Sequence, residues 1–190
     1  MTTATVITTI NHNIGDDFVR EGILYLLKKA WGSIQVQWIH KHIPMTVRPE
    51  WEWIYSRGYT RMMDRVPFLS GLGVTRRLDR RLGLNEETDK VINCDCLIQC
   101  GAPVYWLHGT NSCADNEWYE PLIQRRWSRV RERVPLLNLA AGTCQPYGSD
   151  GSEFLQDGRT LTYIRNFHDQ CKLTTVRDSL SQRVVQLAGR

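Results

Sequence analysis

The chain has 190 residues, 42% of them hydrophobic and 23% charged, with a formal charge of +4. That is enough apolar material for one sizeable core, and the balance excludes a disordered, highly charged chain. So small a surplus, weighted toward arginine and not gathered in a polybasic tail, is compatible with an anionic ligand without demanding one.

Six cysteines (Cys94, Cys96, Cys100, Cys113, Cys144 and Cys171) are scattered through a chain large enough to fold without cross-links, and Met1-Thr2-Thr3-Ala4 does not begin a leader pattern. The expectation is a cytoplasmic protein with free thiols. No apolar run approaches the roughly 20 residues that cross a bilayer, leaving at most peripheral membrane contact.

Residues 3–10 are β-branched almost throughout, as in a strand buried on both faces of a parallel sheet. They run into Asn11-His12-Asn13-Ile14-Gly15-Asp16. From Asp16, the apolar residues Phe18, Val19, Ile23, Leu26, Leu27 and Ala30 recur at helical spacing until Gly32. Residues 34–39 form the next strand, completing a βαβ unit. The stretch 41–90, broken by Pro44, Pro49 and Pro67, reads as a helical insertion packed over the sheet edge.

Alternation resumes with a strand at 95–99 and the turn Cys100-Gly101-Ala102-Pro103. A helix is predicted from about 117 to 133, with Trp118, Leu122, Ile123, Trp127 and Val130 as its buried stripe and several arginines on its solvated face. A strand at 135–140, a helical stretch at 152–167 broken near Gly158, a strand at 173–176 and a helix at 178–188 complete the pattern. Five strands alternating with helices predict a doubly wound, mainly parallel Rossmann-like α/β fold, a single domain over residues 1–190.

Ligands of such sheets bind beyond the carboxyl ends of the strands, where backbone N–H groups and helix N-termini converge. The loops at 11–16, 100–103, 141–145 and 177–178 are therefore the candidates. In the first, Asp16 is either a helix cap with Asn13 a turn former, or the two hydrogen-bond a sugar's hydroxyls with Asp16 accepting a proton. In the last, Arg177 either pairs with Asp178 to fix the loop or binds a phosphate or carboxylate.

Cys94, Cys96 and Cys100 are expected to share one strand face as small buried hydrophobes, so no metal site is predicted. Neither a phosphate-binding glycine loop nor a Gly-x-Ser-x-Gly elbow occurs. No cofactor and no nucleic acid are expected.

In chain order, the stretches Asn13-Ile14-Gly15-Asp16, Asp95-Cys96-Leu97-Ile98-Gln99-Cys100-Gly101, residues 135–146 and Thr175-Val176-Arg177-Asp178-Ser179-Leu180-Ser181 resemble the N-terminal half of the polysaccharide pyruvyl transferase family. The last is the most specific. The chain departs from the family at Gly101-Ala102-Pro103, where a glycine triplet is usual, and at Ala141-Gly142-Thr143-Cys144-Gln145-Pro146, where the turn before proline is usually richer in glycine.

The resemblance implies the N-terminal, acceptor-side domain of a glycosyltransferase-B fold, active in exopolysaccharide biosynthesis. It would move pyruvyl from phosphoenolpyruvate to a hydroxyl of a sugar or lipid-linked glycan. Arg177 would stabilise the anionic donor, and Asp16 would serve as base. Asn13, Gly15, Gly101, Gly142, Thr143 and Asp178 would bind substrate. The family's C-terminal domain, which carries a catalytic histidine, is not found in these residues, so activity is expected only with such a domain supplied in trans or by a homo-oligomer. A non-catalytic sugar- or nucleotide-binding module, or part of a nucleotide-sugar glycosyltransferase, shares the architecture.

Overall fold

A computed structural model describes residues 1–10, 13–41, 89–101 and 103–190. Nearly all of the predicted insertion at 41–90 lies outside the described residues, as do Asn11, His12 and Ala102. Among the described residues, five parallel strands form the body of the sheet: β1 (Thr2–Thr8), β2 (Ile34–His40), β3 (Cys96–Cys100), β7 (Leu136–Thr143) and β8 (Cys171–Val176). Their order is β2-β1-β3-β7-β8. The short β4 (Pro103–Tyr105) continues beyond β3 and pairs with the end of β7, while β5 (Leu107–His108) and β6 (Asn111–Ser112) make a small antiparallel hairpin. This is the predicted doubly wound, Rossmann-like α/β architecture.

Side chains alternate across a pleated strand, and the sheet accordingly feeds two cores. Ile7 of β1 and Leu97 of β3 enter one core, and their neighbours Val6 and Ile98 enter the other. The first core is aromatic. Phe167 of α2 (Gly158–Gln170) meets Trp118 edge-on at 5.4 Å, and Tyr163 meets Tyr119 edge-on at 5.0 Å. Such arrangements match the edge of one ring to the face of the next. Val184 and Ala188, at the end of α3 (Ser179–Leu187), close the same core. Within it, Asn138 Nδ2 donates to the Tyr105 hydroxyl, whose own proton is free to donate to His168 Nε2 at 2.6 Å. Burial lowers the His168 pKa to about 4, which keeps that ring neutral.

The second core lies under α1 (Ile14–Trp31), and here the apolar stripe is corrected. Phe18 and Leu26 are 73% and 59% exposed, and Ala30 is exposed as well, whereas the buried residues are Asp16 and Leu27. The face turned to the sheet runs through Asp16, Arg20, Ile23 and Leu27, one residue every turn. A count of apolar positions alone misses a face that starts with two charges.

The helix predicted at 117–133 is also corrected, becoming a π-helical turn (Tyr119–Gln124) followed by a 3-10 turn (Trp127–Arg129). Pro121 offers no N–H and crowds the preceding turn, which disrupts regular α pairing. The indole N–H of Trp127 donates to Val134 O at 2.7 Å and draws the chain back toward β7. The stripe itself is as predicted, with Trp118, Leu122, Ile123 and Trp127 buried and Val130 partly so.

Cys96 and Cys100 do share a face, but Cys94 lies before the strand begins and enters the aromatic core instead. All six thiols are free. Burial pushes the Cys100 and Cys113 thiols up to about 12, so they pack as neutral small groups. No helix among the described residues is long and apolar enough to cross a membrane.

Candidate active site at the carboxyl edge of the sheet

The helix after β1 starts at Ile14, so Asp16 lies within its first turn. Asn13 is its N-cap, in extended conformation, and its Oδ1 accepts the Gly15 N–H at 2.9 Å. This frees Asp16 from the capping duty that sequence alone left open. Asp16 is 3% exposed and turned toward the sheet, where its Oδ2 accepts the Thr9 hydroxyl at 2.7 Å. Arg20, one turn on, donates to Thr9 O at 3.2 Å and to Asp17 at 2.6 Å, and its guanidinium lies 5.5 Å from the Trp38 ring centre. The charged start of α1 is thereby fixed to the tips of β1 and β2.

Gly101 explains how the helix comes so close. Its φ of +71° is a left-handed conformation, and a Cβ there would lie 3.0 Å from Asp16 O and 3.3 Å from Thr8 Oγ1. The absence of a side chain at the end of β3 admits the backbone of α1.

Across the sheet, β8 delivers Arg177. Its N–H donates to Ala141 O at 3.0 Å. The pairing of β7 with β8 shifts register between Asn138 and Ala141, where Ala140 has a φ of 52° and its N–H donates to Thr175 Oγ1 at 2.9 Å. Such a bulge bends a strand and re-aims the side chains beyond it. Gly142 then forms a bare floor under Arg177, because a Cβ there would overlap the guanidinium. Arg177 Nη1 stands 3.7 Å from Asp16 Oδ1, and its Nε stands 3.8 Å from Asp178 Oδ2. Asp178 caps α3, its Oδ1 accepting both the Ser181 N–H and hydroxyl at 2.7 Å. Thr143, the last residue of β7, pairs with Tyr105 and is half-buried.

Asp16 opens on a cleft of about 400 Å³. Its walls combine the amides Asn13, Asn111 and Asn116, the carboxylates Asp115 and Glu117, and the indoles Trp106 and Trp118. The β5–β6 hairpin contributes His108 and Asn111, and His108 hydrogen-bonds Cys144 O at the cleft's edge. Asp115 is held by Arg159, whose Nη1 donates to it at 2.8 Å. Partial burial raises the pKa of Glu117.

Lys41, the residue after β2, also lines the cleft and is 3% exposed. Its Nζ donates to Pro103 O and lies 5.6 and 5.8 Å from the ring centres of Trp106 and Trp118. Removal from water lowers its pKa to about 7, against the opposing pull of Asp16.

Of the predicted residues, Asn13 and Asp16 line the cleft and Arg177 meets Asp16 beside it, while Gly101 and Gly142 give passage to α1 and Arg177. Gly15 and Asp178 engage in helix caps. Sequence reasoning missed Lys41, Trp106 and Asn111. Lys41 carried a usable signal, since it is the residue leaving a strand at the ligand-binding end of a parallel sheet. Among the described residues, no cluster of His, Cys, Asp and Glu could hold a metal ion.

No family model matches the chain, and no curated protein matches it. Among solved structures, an azoreductase from Bacillus anthracis str. Sterne matches with a TM-score of 0.52 at 11% sequence identity, covering 100% of this chain and 94% of that one. At that identity the likeness concerns the fold.

Proposed function

We propose that the cleft receives a sugar acceptor and that the chain is the acceptor-side domain of a polysaccharide pyruvyl transferase-like protein, acting with phosphoenolpyruvate as donor. The observation that carries this reading is the meeting of Asp16 and Arg177, 3.7 Å apart, beside a cleft walled by amides, carboxylates and indoles. The two residues belong to the first and last of the four sequence stretches that carry the resemblance, and they converge at one end of the sheet.

Each part has a chemical task. Amides and carboxylates hydrogen-bond hydroxyl groups from both sides, donating and accepting, while indole faces take the apolar C–H face of a pyranose ring. Arg177 is part-exposed at the edge, with a fork that matches a carboxylate or phosphate. Asp16 holds that guanidinium in place from the buried side. An anionic donor arriving above Arg177 would then face a hydroxyl seated in the cleft.

The test is calorimetric titration of the chain with phosphoenolpyruvate and with inorganic phosphate, wild type beside Arg177→Ala. Loss of a charge-assisted contact is expected to weaken donor binding roughly 10- to 100-fold. Equal affinity in the two proteins, or no binding of either anion to wild type, would count against the reading.

A further inference from the structure

We propose that Lys41, and not Asp16, takes the proton from the acceptor hydroxyl, an inference that rests on the cleft being an acceptor site. The two groups are built for different work. Asp16 has its Oδ2 engaged by the Thr9 hydroxyl and its Oδ1 turned to Arg177. Its charge is committed to holding an arginine. Lys41 projects from the tip of β2 into the cleft wall, with one N–H bound to Pro103 O and two indole rings around the amine. In the neutral state that N–H bond leaves the lone pair free for the cleft.

The groups facing Lys41 come from every element around it. Asp16 of α1 favours its charged form, Arg177 beyond β8 opposes it, and the nearby Cys113 thiol is neutral in this pH range. Burial outweighs them all and places the amine near pH 7. A base whose pKa lies near the working pH combines a useful neutral fraction with adequate proton affinity.

The step balances within the substrates. In one concerted addition Nζ takes the hydroxyl proton while one of its own N–H protons passes to the methylene carbon of the enolpyruvyl donor. The C2–C3 π pair becomes a C–H bond of the methyl group as the acceptor oxygen bonds to C2, and the amine ends neutral. Phosphate departs, carrying the second proton, when a second hydroxyl of the sugar displaces it and closes the ketal.

Competitive acetylation with acetic anhydride across a pH series, read at Lys41 by peptide mass spectrometry, tests the proposal on the intact chain. The label at Lys41 is expected to titrate with a midpoint of about 7, against about 10.4 for a free lysine amide in the same tube. Methyl galactoside or methyl mannoside, present at tenfold its Kd, is expected to lower labelling roughly tenfold by covering the amine. A midpoint in the free-lysine range, absence of label at every pH, or labelling indifferent to both glycosides overturns the proposal. Donor binding at Arg177 is measured separately, so a free amine without phosphoenolpyruvate binding would sink the transferase reading alone.

Discussion

On one face of the sheet, Trp118, Tyr119, Tyr163 and Phe167 interlock edge to face and pack against strands, turns and two helices. On the other face, α1 buries Leu27 and a carboxylate, and leaves Phe18, Tyr25 and Leu26 to solvent. Apolar area removed from water drives folding, so the aromatic face carries more of the stability. The α1 face is held at its leading end by polar anchors, with Asp16 on Thr9, Arg20 on Thr9 O and the close passage over Gly101. One layer supplies cohesion and the other presents charge to the cleft.

The sharpest way to break this contrast is Phe167→Ala. Phe167 is fully buried and touches Trp118, Tyr119, Tyr163 and His168. Its removal leaves a cavity under the aromatic layer and is expected to cost about 3–5 kcal/mol, measured by urea denaturation. A loss below about 1 kcal/mol would mean that the layer repacks freely and that cohesion lies elsewhere.

Lys41→Met probes the polar side with the opposite sign. The folded-state pKa of about 7 lies below the ordinary lysine value of 10.5. The unfolded chain therefore binds more protons between those limits, and stability rises with pH across that window. Below pH 7 the full cost of burying the ammonium is present. Lys41→Met is expected to stabilise the protein by up to about 5 kcal/mol there, with the gain shrinking toward pH 10.5. Parallel thermal melts at several pH values check this, and a gain independent of pH would show that Lys41 does not titrate with folding.

The same contrast explains what was legible in the sequence. β1 and β3 are short, apolar and bounded by loop residues, so period and punctuation located them within one or two residues. Arg177 and Asp16 were legible because a parallel sheet brings every strand exit to one edge. The inward face of α1 was not, because Asp16 and Arg20 occupy it, and a hydrophobic count places the stripe on Phe18 and Leu26. The π-helical turn escaped for a related reason. Its burial pattern is helical, and only the single missing N–H of Pro121 distinguishes it from an ordinary helix. The strand-exit position of Lys41 was readable, but its depressed pKa was not, because the cause is burial by groups from distant parts of the chain, Trp106, Trp118 and the Pro103 carbonyl among them. No local pattern contains them.

The smallest effect expected is on the outer side of α1. Phe18→Ser and Leu26→Ser each replace a side chain that is more than half exposed, at positions 73% and 59% open to solvent. Little burial is lost, and serine's helix propensity, close to that of phenylalanine and slightly below that of leucine, adds at most a few tenths of a kcal/mol. Each variant should fall within about 0.5 kcal/mol of wild type, against several kcal/mol for Phe167→Ala across the sheet. The measurement is the same urea titration, with the slope as well as the midpoint recorded. An unchanged slope with an unchanged midpoint keeps α1 as a layer anchored through its charged leading turn. A loss above about 2 kcal/mol would mean that Phe18 or Leu26 is buried in solution, and the division between a cohesive face and a presenting face would have to be redrawn.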